Sequence, residues 1–380
     1  MQNRIAALCI VVILFACGTP NQQIVSNFQA EPNQVLAKNI ILMIGDGMGL
    51  GQITAGMYAN GNTLNLEKFP IVGLQKTYSY NNLITDSAAS ATAIACGVKT
   101  YNAAIGVNKD TVPVQSILEE ASLKGLKTGL VATSTIVHAT PAAFISHQPM
   151  RSMYEYIAAD FLKTDIDLFI GGGYKYFNEQ RKNEQSLLPK LIKKGFTVSS
   201  ITKEDLSEIK LSTVKKLAYF TANDSPIPEA MGRDYLPQAS IISANFLNRF
   251  KKQGFFLMIE GSQIDWGGHA NDTKYIISEV KDFDKAIGKM LAFAKKDKET
   301  LVIVTADHET GGFAINPKSS MDSIRGAFTN SYHTGTMVPV FAYGPGSELF
   351  SGIYENTAIY HKMRKALGFD REIEEENPNN

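Results

Sequence analysis

The chain has 380 residues, 44% hydrophobic and 19% charged, enough apolar material for one large domain or two smaller ones. Its 37 Lys and Arg balance 37 Asp and Glu, and the absence of a basic bias argues against nucleic acid or an anionic bilayer as the main partner. Of the three cysteines, Cys9 and Cys17 lie near the amino terminus, so the body keeps only Cys96 and no internal disulfide. Its stability must then come from the core and from bound metal.

In chain order, Arg4 precedes an apolar run over residues 5–16, too short for an ordinary membrane span but suited to an export signal. Leu14-Phe15-Ala16-Cys17 resembles a bacterial lipobox, which implies cleavage before Cys17 and lipidation of its thiol; an uncleaved anchor helix is the runner-up. Residues 1–16 are therefore expected to be a signal peptide and 17–38 a polar tether carrying Pro20 and Pro32. An exported lipoprotein, periplasmic or anchored at the outer membrane, follows.

Short apolar runs predict buried strands over residues 39–44, 129–133, 168–170, 255–259, 301–305 and 338–343. A helix predicted over 114–124 ends at Gly125, and Ile276, Val280, Phe283, Ile287 and Leu291 recur at helical spacing. Such alternation predicts an α/β domain over residues 39–370, a large, mainly parallel sheet with helices on both faces. Residues 371–380 read as a solvated acidic tail. We find no internal repeat.

The most informative segment is Asp86-Ser87-Ala88-Ala89-Ser90, which presents a hydroxyl at the first turn of a predicted helix. There, unpaired backbone N–H groups and the helix dipole favour an anion such as phosphate; the plain alternative is an ordinary N-cap. Asp46, Glu260 and Asp307-His308 each follow a predicted strand, at the sheet edge where open α/β folds bind ligands. Asp265 and His269 stand four apart, a spacing that lets both face one metal, and His333 is a further nitrogen donor downstream.

The motifs MIGDGMG, TDSAASATAIACGVKTYN, HATPAAFISH followed by Arg151, IEGSQIDWGGHAND, VTADHETGG and YHTGTMVPVFAYGP, in this order, resemble those of the alkaline phosphatase family from about Asn39 to Gly346. The resemblance implies that family's three-layer α/β sandwich and the hydrolysis of phosphate monoesters through a phosphorylated Ser87. It implies one zinc held by Asp265, His269 and His333, and a second by Asp46, Asp307, His308 and the Ser87 oxygen. Thr140, Glu260 and the other Asp46 oxygen match a third site, usually magnesium, and Arg151 matches the phosphate clamp.

The residue types suit that chemistry. Two metals ~4 Å apart can coordinate the attacking and leaving oxygens of an in-line displacement, while a forked guanidinium binds phosphoryl oxygens bidentately. His138 and Trp266 stand where some members carry Asp and Lys. An imidazole at the third site shifts preference from magnesium toward zinc or cobalt; equally, His138 could be a hydrogen-bond donor behind the ligands, and Trp266 a wall of the pocket. His147 and His361 read as structural. The connection from His308 to His333 is short, which implies a reduced crown subdomain and curtails the family's usual homodimer contact. The competing functions are a phosphodiesterase or sulfatase on the same scaffold and a lipid-anchored binding protein without catalysis. Arg151 speaks against a diester, which offers fewer free oxygens, and the full ligand set speaks against loss of catalysis.

Overall fold

Asn39–Gly45 (β1) is a continuous apolar run, NIILMIG, buried along its whole length in the computed structural model of the chain. A strand enclosed on both faces needs no polar alternation, and β1 divides its side chains between two cores. Ile40, Leu42 and Ile44 enter one, and Ile41 and Met43 the other. The structure describes residues 36–178, 185–250 and 252–370; the expected signal peptide, most of the tether and the acidic tail lie outside them. Among the described residues, no helix is long and apolar enough to cross a membrane.

The remaining strands are Ile71–Lys76 (β2), Lys127–Thr135 (β3), Leu168–Gly172 (β4), Phe196–Ser200 (β5), Lys216–Phe220 (β6), Phe255–Gly261 (β7), Thr300–Thr305 (β8), Glu309–Thr310 (β9), Ala314–Ile315 (β10), Gly326–Ala327 (β11), His333–Thr334 (β12), Val338–Tyr343 (β13) and Gly352–Glu355 (β14). Ten of them form one sheet in the order β14-β2-β13-β8-β1-β7-β3-β4-β6-β5. All its pairings are parallel except those of β13, which runs against both β8 and β2. Every strand expected from the sequence is present: β13 has the expected bounds, β3 gains two residues at each end, and the others gain one or two. Four strands of this sheet, β2, β5, β6 and β14, were not foreseen; β2, β5 and β14 expose part of their side chains, so no uninterrupted apolar run marks them.

Helices cover both faces. On one side packs the helix Ser87–Cys96, on the other the long helix Thr273–Asp297, which buries Ile276, Val280, Phe283, Ile287 and Leu291 as its spacing predicts. Each such side chain contributes about 1.5–3 kcal/mol on burial. The helix expected over 114–124 is shorter, Ile117–Leu123, because Ser116 caps it by accepting from Glu119 N while the Glu119 carboxylate accepts from Ser116 N. Cys96 is buried and free.

The register carries the site. Parallel pairing sets Ile44 beside Glu260 and beside Thr305, so Asp46, Glu260 and Asp307 leave three adjacent strands at one edge. Gly47 has φ +72, and a Cβ there would lie 2.6 Å from Thr310 Oγ1 and 2.8 Å from Asp265 Cα. Only glycine allows that close approach. The connection between His308 and His333 holds two short ladders, β10 with β11 and β9 with β12, and no helix among the described residues, as a reduced crown requires.

Candidate active site

Ser87 opens a ten-residue helix whose every residue is buried, a density that its alanines and serines permit. Asp86 caps it: one carboxylate oxygen accepts from Ala89 N at 3.0 Å, and the other accepts from Ala103 N at 3.0 Å and from Arg151 Nη1 at 3.0 Å. Burial opposes the Arg151 charge, but the Asp86 carboxylate outweighs it and raises the guanidinium's pKa. Arg151 is thus held as a cation beside Ser87 by the residue that starts the helix.

Three imidazoles converge on the carboxylates. His269 Nδ1 lies 2.8 Å from the Ser331 carbonyl and His333 Nδ1 2.8 Å from the Thr85 carbonyl. A carbonyl only accepts, so each Nδ1 carries a proton; each Nε2 faces inward, an electron donor to a metal in the neutral ring and a hydrogen-bond donor to Asp265 in the protonated one. Those Nε2 atoms stand 3.2 Å apart and 3.3 and 3.4 Å from the Asp265 carboxylate. His308 Nε2 sits 3.4 Å from Ser87 Oγ, 3.2 Å from Asp307 Oδ2 and 3.5 Å from Asp46 Oδ1. Thr310 Oγ1 donates to Asp265 Oδ1 at 2.5 Å and approaches His308 Nδ1 at 3.3 Å, linking the two clusters.

The acids fall into contrasting environments. Burial would raise Asp265, but hydrogen bonds from His269 and His333 hold it well below the ordinary carboxylate range. Burial raises Asp46 strongly, reinforced by Asp307, Asp265 and Glu260; it pushes Asp307 up to about 6, with Asp265 adding to it, and Glu260 up to about 7. Burial, aided by Arg151, lowers His138 to about 3, so its imidazole is neutral. Its Nε2 lies 3.3 Å from Arg151 Nη2.

Three groups have ligand atoms mutually within 4.8 Å: Asp265–His269–His333, Asp46–Asp307–His308 and Asp46–His138–Glu260. Thr140 lies beside Glu260. Among the described residues, both Asp46 oxygens, Asp307 Oδ2, Glu260 Oε1, Thr140 Oγ1 and His138 Nδ1 are buried without a hydrogen-bond partner. So many orphaned polar atoms at one sheet edge are costly by themselves and fit cation binding. Nitrogen and carboxylate donors in the first two groups suit zinc, and the oxygen-rich third suits magnesium or a borderline ion.

A model of the alkaline phosphatase family matches residues 37–331 and 322–369. The chain belongs to the alkaline phosphatase family. Alkaline phosphatase 4 of Bacillus subtilis is 37% identical over 94% of this chain and 95% of its own length, and the alkaline phosphatase of Escherichia coli K12 is 31% identical over 87% and 86%. The structure of the alkaline phosphatase from the Antarctic bacterium TAB5 superposes with a TM-score of 0.84 at 46% identity, covering 88% of this chain and 99% of that one. A variant of that enzyme with a histidine replaced by aspartate has magnesium bound in its M3 site. This alkaline phosphatase is accordingly a metal-binding phosphomonoester hydrolase.

All the residues singled out in the sequence, Asp46, Ser87, His138, Thr140, Arg151, Glu260, Asp265, His269, Asp307, His308 and His333, meet at this edge. His147 does not; it bonds Gly106 and Glu119. His361 lies exposed on the C-terminal helix Ala358–Leu367. Sequence reading missed Asp86 as the partner of Arg151, Thr310 as the link between clusters, and Tyr332 in the pocket wall. Only Asp86, next to Ser87 at the helix start, carried a local signal.

Proposed function

We propose that Ser87 is the nucleophile of a two-step phosphomonoesterase and that two zinc ions and a third ion, usually magnesium, occupy the three donor groups. The observation that carries this reading is the position of Ser87: Oγ lies at a helix start, 3.4 Å from His308 Nε2 in one donor group, with the Arg151 cation held at the same turn by Asp86. When bound, the metals would supply positive charge to the attacking and leaving oxygens. Asp265, His269 and His333 would hold one zinc, and Asp46, Asp307, His308 and Ser87 Oγ the other. Asp46, Glu260, Thr140 and His138 would hold the third ion, and the His138 imidazole admits zinc or cobalt there.

Arg151 binds two phosphoryl oxygens and orients the phosphorus toward Ser87. The Ser87 Oγ–P bond forms as the ester P–O bond breaks, and the leaving alcohol takes up a proton. Water then cleaves the phosphoserine, returning the Ser87 hydroxyl and releasing inorganic phosphate. The ester oxygen departs on the side of Asp265, His269 and His333, across the phosphorus from the group that holds Ser87.

Ser87→Ala should lose the phosphoenzyme trapped at acidic pH and most of the rate while keeping its metals. Labelled phosphate on any other residue would overturn the assignment. The apolar run over residues 5–16 and the lipobox-like Leu14-Phe15-Ala16-Cys17 support export and a lipid anchor on Cys17; palmitate labelling that persists in Cys17→Ser would refute the anchor.

A further inference from the structure

Above Ser87 opens a cavity of about 370 Å³ lined by ionic and polar side chains and by two aromatic residues, Trp266 and Tyr332. Neither aromatic has a part in the chemistry described so far, and both are anchored on groups that do. Trp266 meets His138 edge-on at 6.1 Å and 77°. Tyr332 is more constrained. Its ring lies 4.4 Å from that of His333 at 6°, and His333 lies 3.6 Å from His308 at 17°. His308, His333 and Tyr332 thus form a three-ring stack that begins beside Ser87 and ends in a phenol, whose ring also packs 6.0 Å from His269.

The backbone holds this terminal ring in place. Tyr332 N donates to Asn330 Oδ1 at 2.6 Å, and its carbonyl accepts from Gly311 N at 2.7 Å. One face of the phenol is thus committed to His333, yet the residue remains 49% exposed. A half-exposed aromatic ring, fixed before any ligand arrives, loses little conformational entropy when a second ring packs on it. Its neighbours set what that ligand is. His269 and His333 belong to the group on the side where the ester oxygen departs, so the Tyr332 ring, packed against both, stands beside the leaving group in the cavity that Arg151 also lines.

We infer that Tyr332 forms a subsite for the leaving group and selects monoesters whose ester oxygen is attached directly to an aromatic ring. The inference rests on the phosphomonoesterase reading above, because that reading places the departing oxygen at Asp265, His269 and His333. Trp266, on the His138 side of the same cavity, supplies a second apolar wall. Alkyl monoesters meet the same phosphate site but gain nothing from the rings.

The test is calorimetric binding of phenylphosphonate and methylphosphonate to the metal-loaded protein. Neither compound is hydrolysed, so leaving-group reactivity does not enter the comparison. Wild type should prefer the phenyl compound, and Tyr332→Ala should reduce that preference by about fivefold to tenfold, the size of an aromatic stacking contact. Tyr332→Phe should retain it, and the metal content of both variants should match wild type. A preference unchanged in Tyr332→Ala, or an equal loss of affinity for both compounds with metal lost, would overturn the subsite and show that Tyr332 only supports the histidines. Failure of wild type to bind either phosphonate or inorganic phosphate would instead overturn the phosphomonoesterase reading, and this inference with it.

Discussion

Two halves of one site solve the problem of buried charge differently. Around Asp265, two imidazoles and the Thr310 hydroxyl surround a single carboxylate, and its pKa falls. Around Asp46, Asp307 and Glu260, three carboxylates share a buried space with the neutral His138 and His308, and their pKa values rise. The first group is balanced by protein atoms alone. The second requires outside positive charge, because like charges in a low-dielectric interior repel and unpaired carboxylates are desolvated at high cost. Metal binding is therefore unequal in its consequences: it replaces protons at one group and relieves repulsion at the other.

The largest effect that would break this contrast is expected in chelated protein. Stripping the metals at alkaline pH should abolish activity and lower the melting temperature, by on the order of 10 °C if several kcal/mol of binding are lost. Within the stripped protein two substitutions should then part company. Asp307 Oδ1 accepts from Gly47 N and His308 N, at 3.1 and 3.0 Å, while Oδ2 has no hydrogen-bond partner among the described residues. Asp307→Asn keeps that acceptor, removes a repelling charge and should stabilise the metal-free fold by about 1 kcal/mol. Asp265→Asn removes the charge that two histidines face and should cost about 2–3 kcal/mol. Denaturant unfolding of the chelated variants decides the matter; shifts of the same sign would erase the distinction.

The two groups were not equally legible in the sequence. Asp46, Glu260 and Asp307 stood out because each terminates a long apolar run, and a parallel sheet brings such ends together. Asp265 and His269 were visible from a four-residue spacing, which the helix Gln263–His269 realises. What holds these groups was hidden. Asp86 meets Arg151 across 65 positions, His333 meets the Thr85 carbonyl across 248, and Thr310 reaches Asp265 across 45. Contacts of that range leave no period and no motif; they arise only when the sheet register is set. Tyr332 was equally silent, since a lone tyrosine in a short connection reads as surface. Strands β2 and β14, at one end of the sheet, were missed for a related reason: half-exposed strands lack the uninterrupted apolar run that marks the central ones.

The smallest effect sharpens the comparison with a pair of the same chemistry placed outside the site. His147 Nδ1 lies 2.6 Å from the Gly106 carbonyl and Nε2 2.9 Å from Glu119 Oε1. Both neighbours only accept, so the imidazole satisfies both when protonated and just one when neutral. Burial opposes that charge, but the hydrogen bonds that His147 donates to Glu119 and Gly106 prevail and raise its pKa above 6.5; burial likewise opposes Glu119, yet His147 and Ser116 bring it below 4.5. The signs then follow. A raised histidine contributes stability that is full below 6.5 and is lost as pH rises through its folded value, and a depressed glutamate contributes stability that is full above 4.5 and is lost as pH falls. The pair is therefore strongest between these limits and weaker at alkaline pH. His147→Leu should destabilise the protein by on the order of 1 kcal/mol or less near pH 6, since solvent screens the part-exposed ring, and by less near pH 9. Because no metal ligand touches the pair, the difference between pH 6 and pH 9 should be the same with and without chelator. Unfolding free energies of wild type and variant under the four conditions provide the check. A pH dependence that vanished on chelation would tie His147 to the metal-binding edge and remove the contrast between a carboxylate balanced by protein and one balanced by metal.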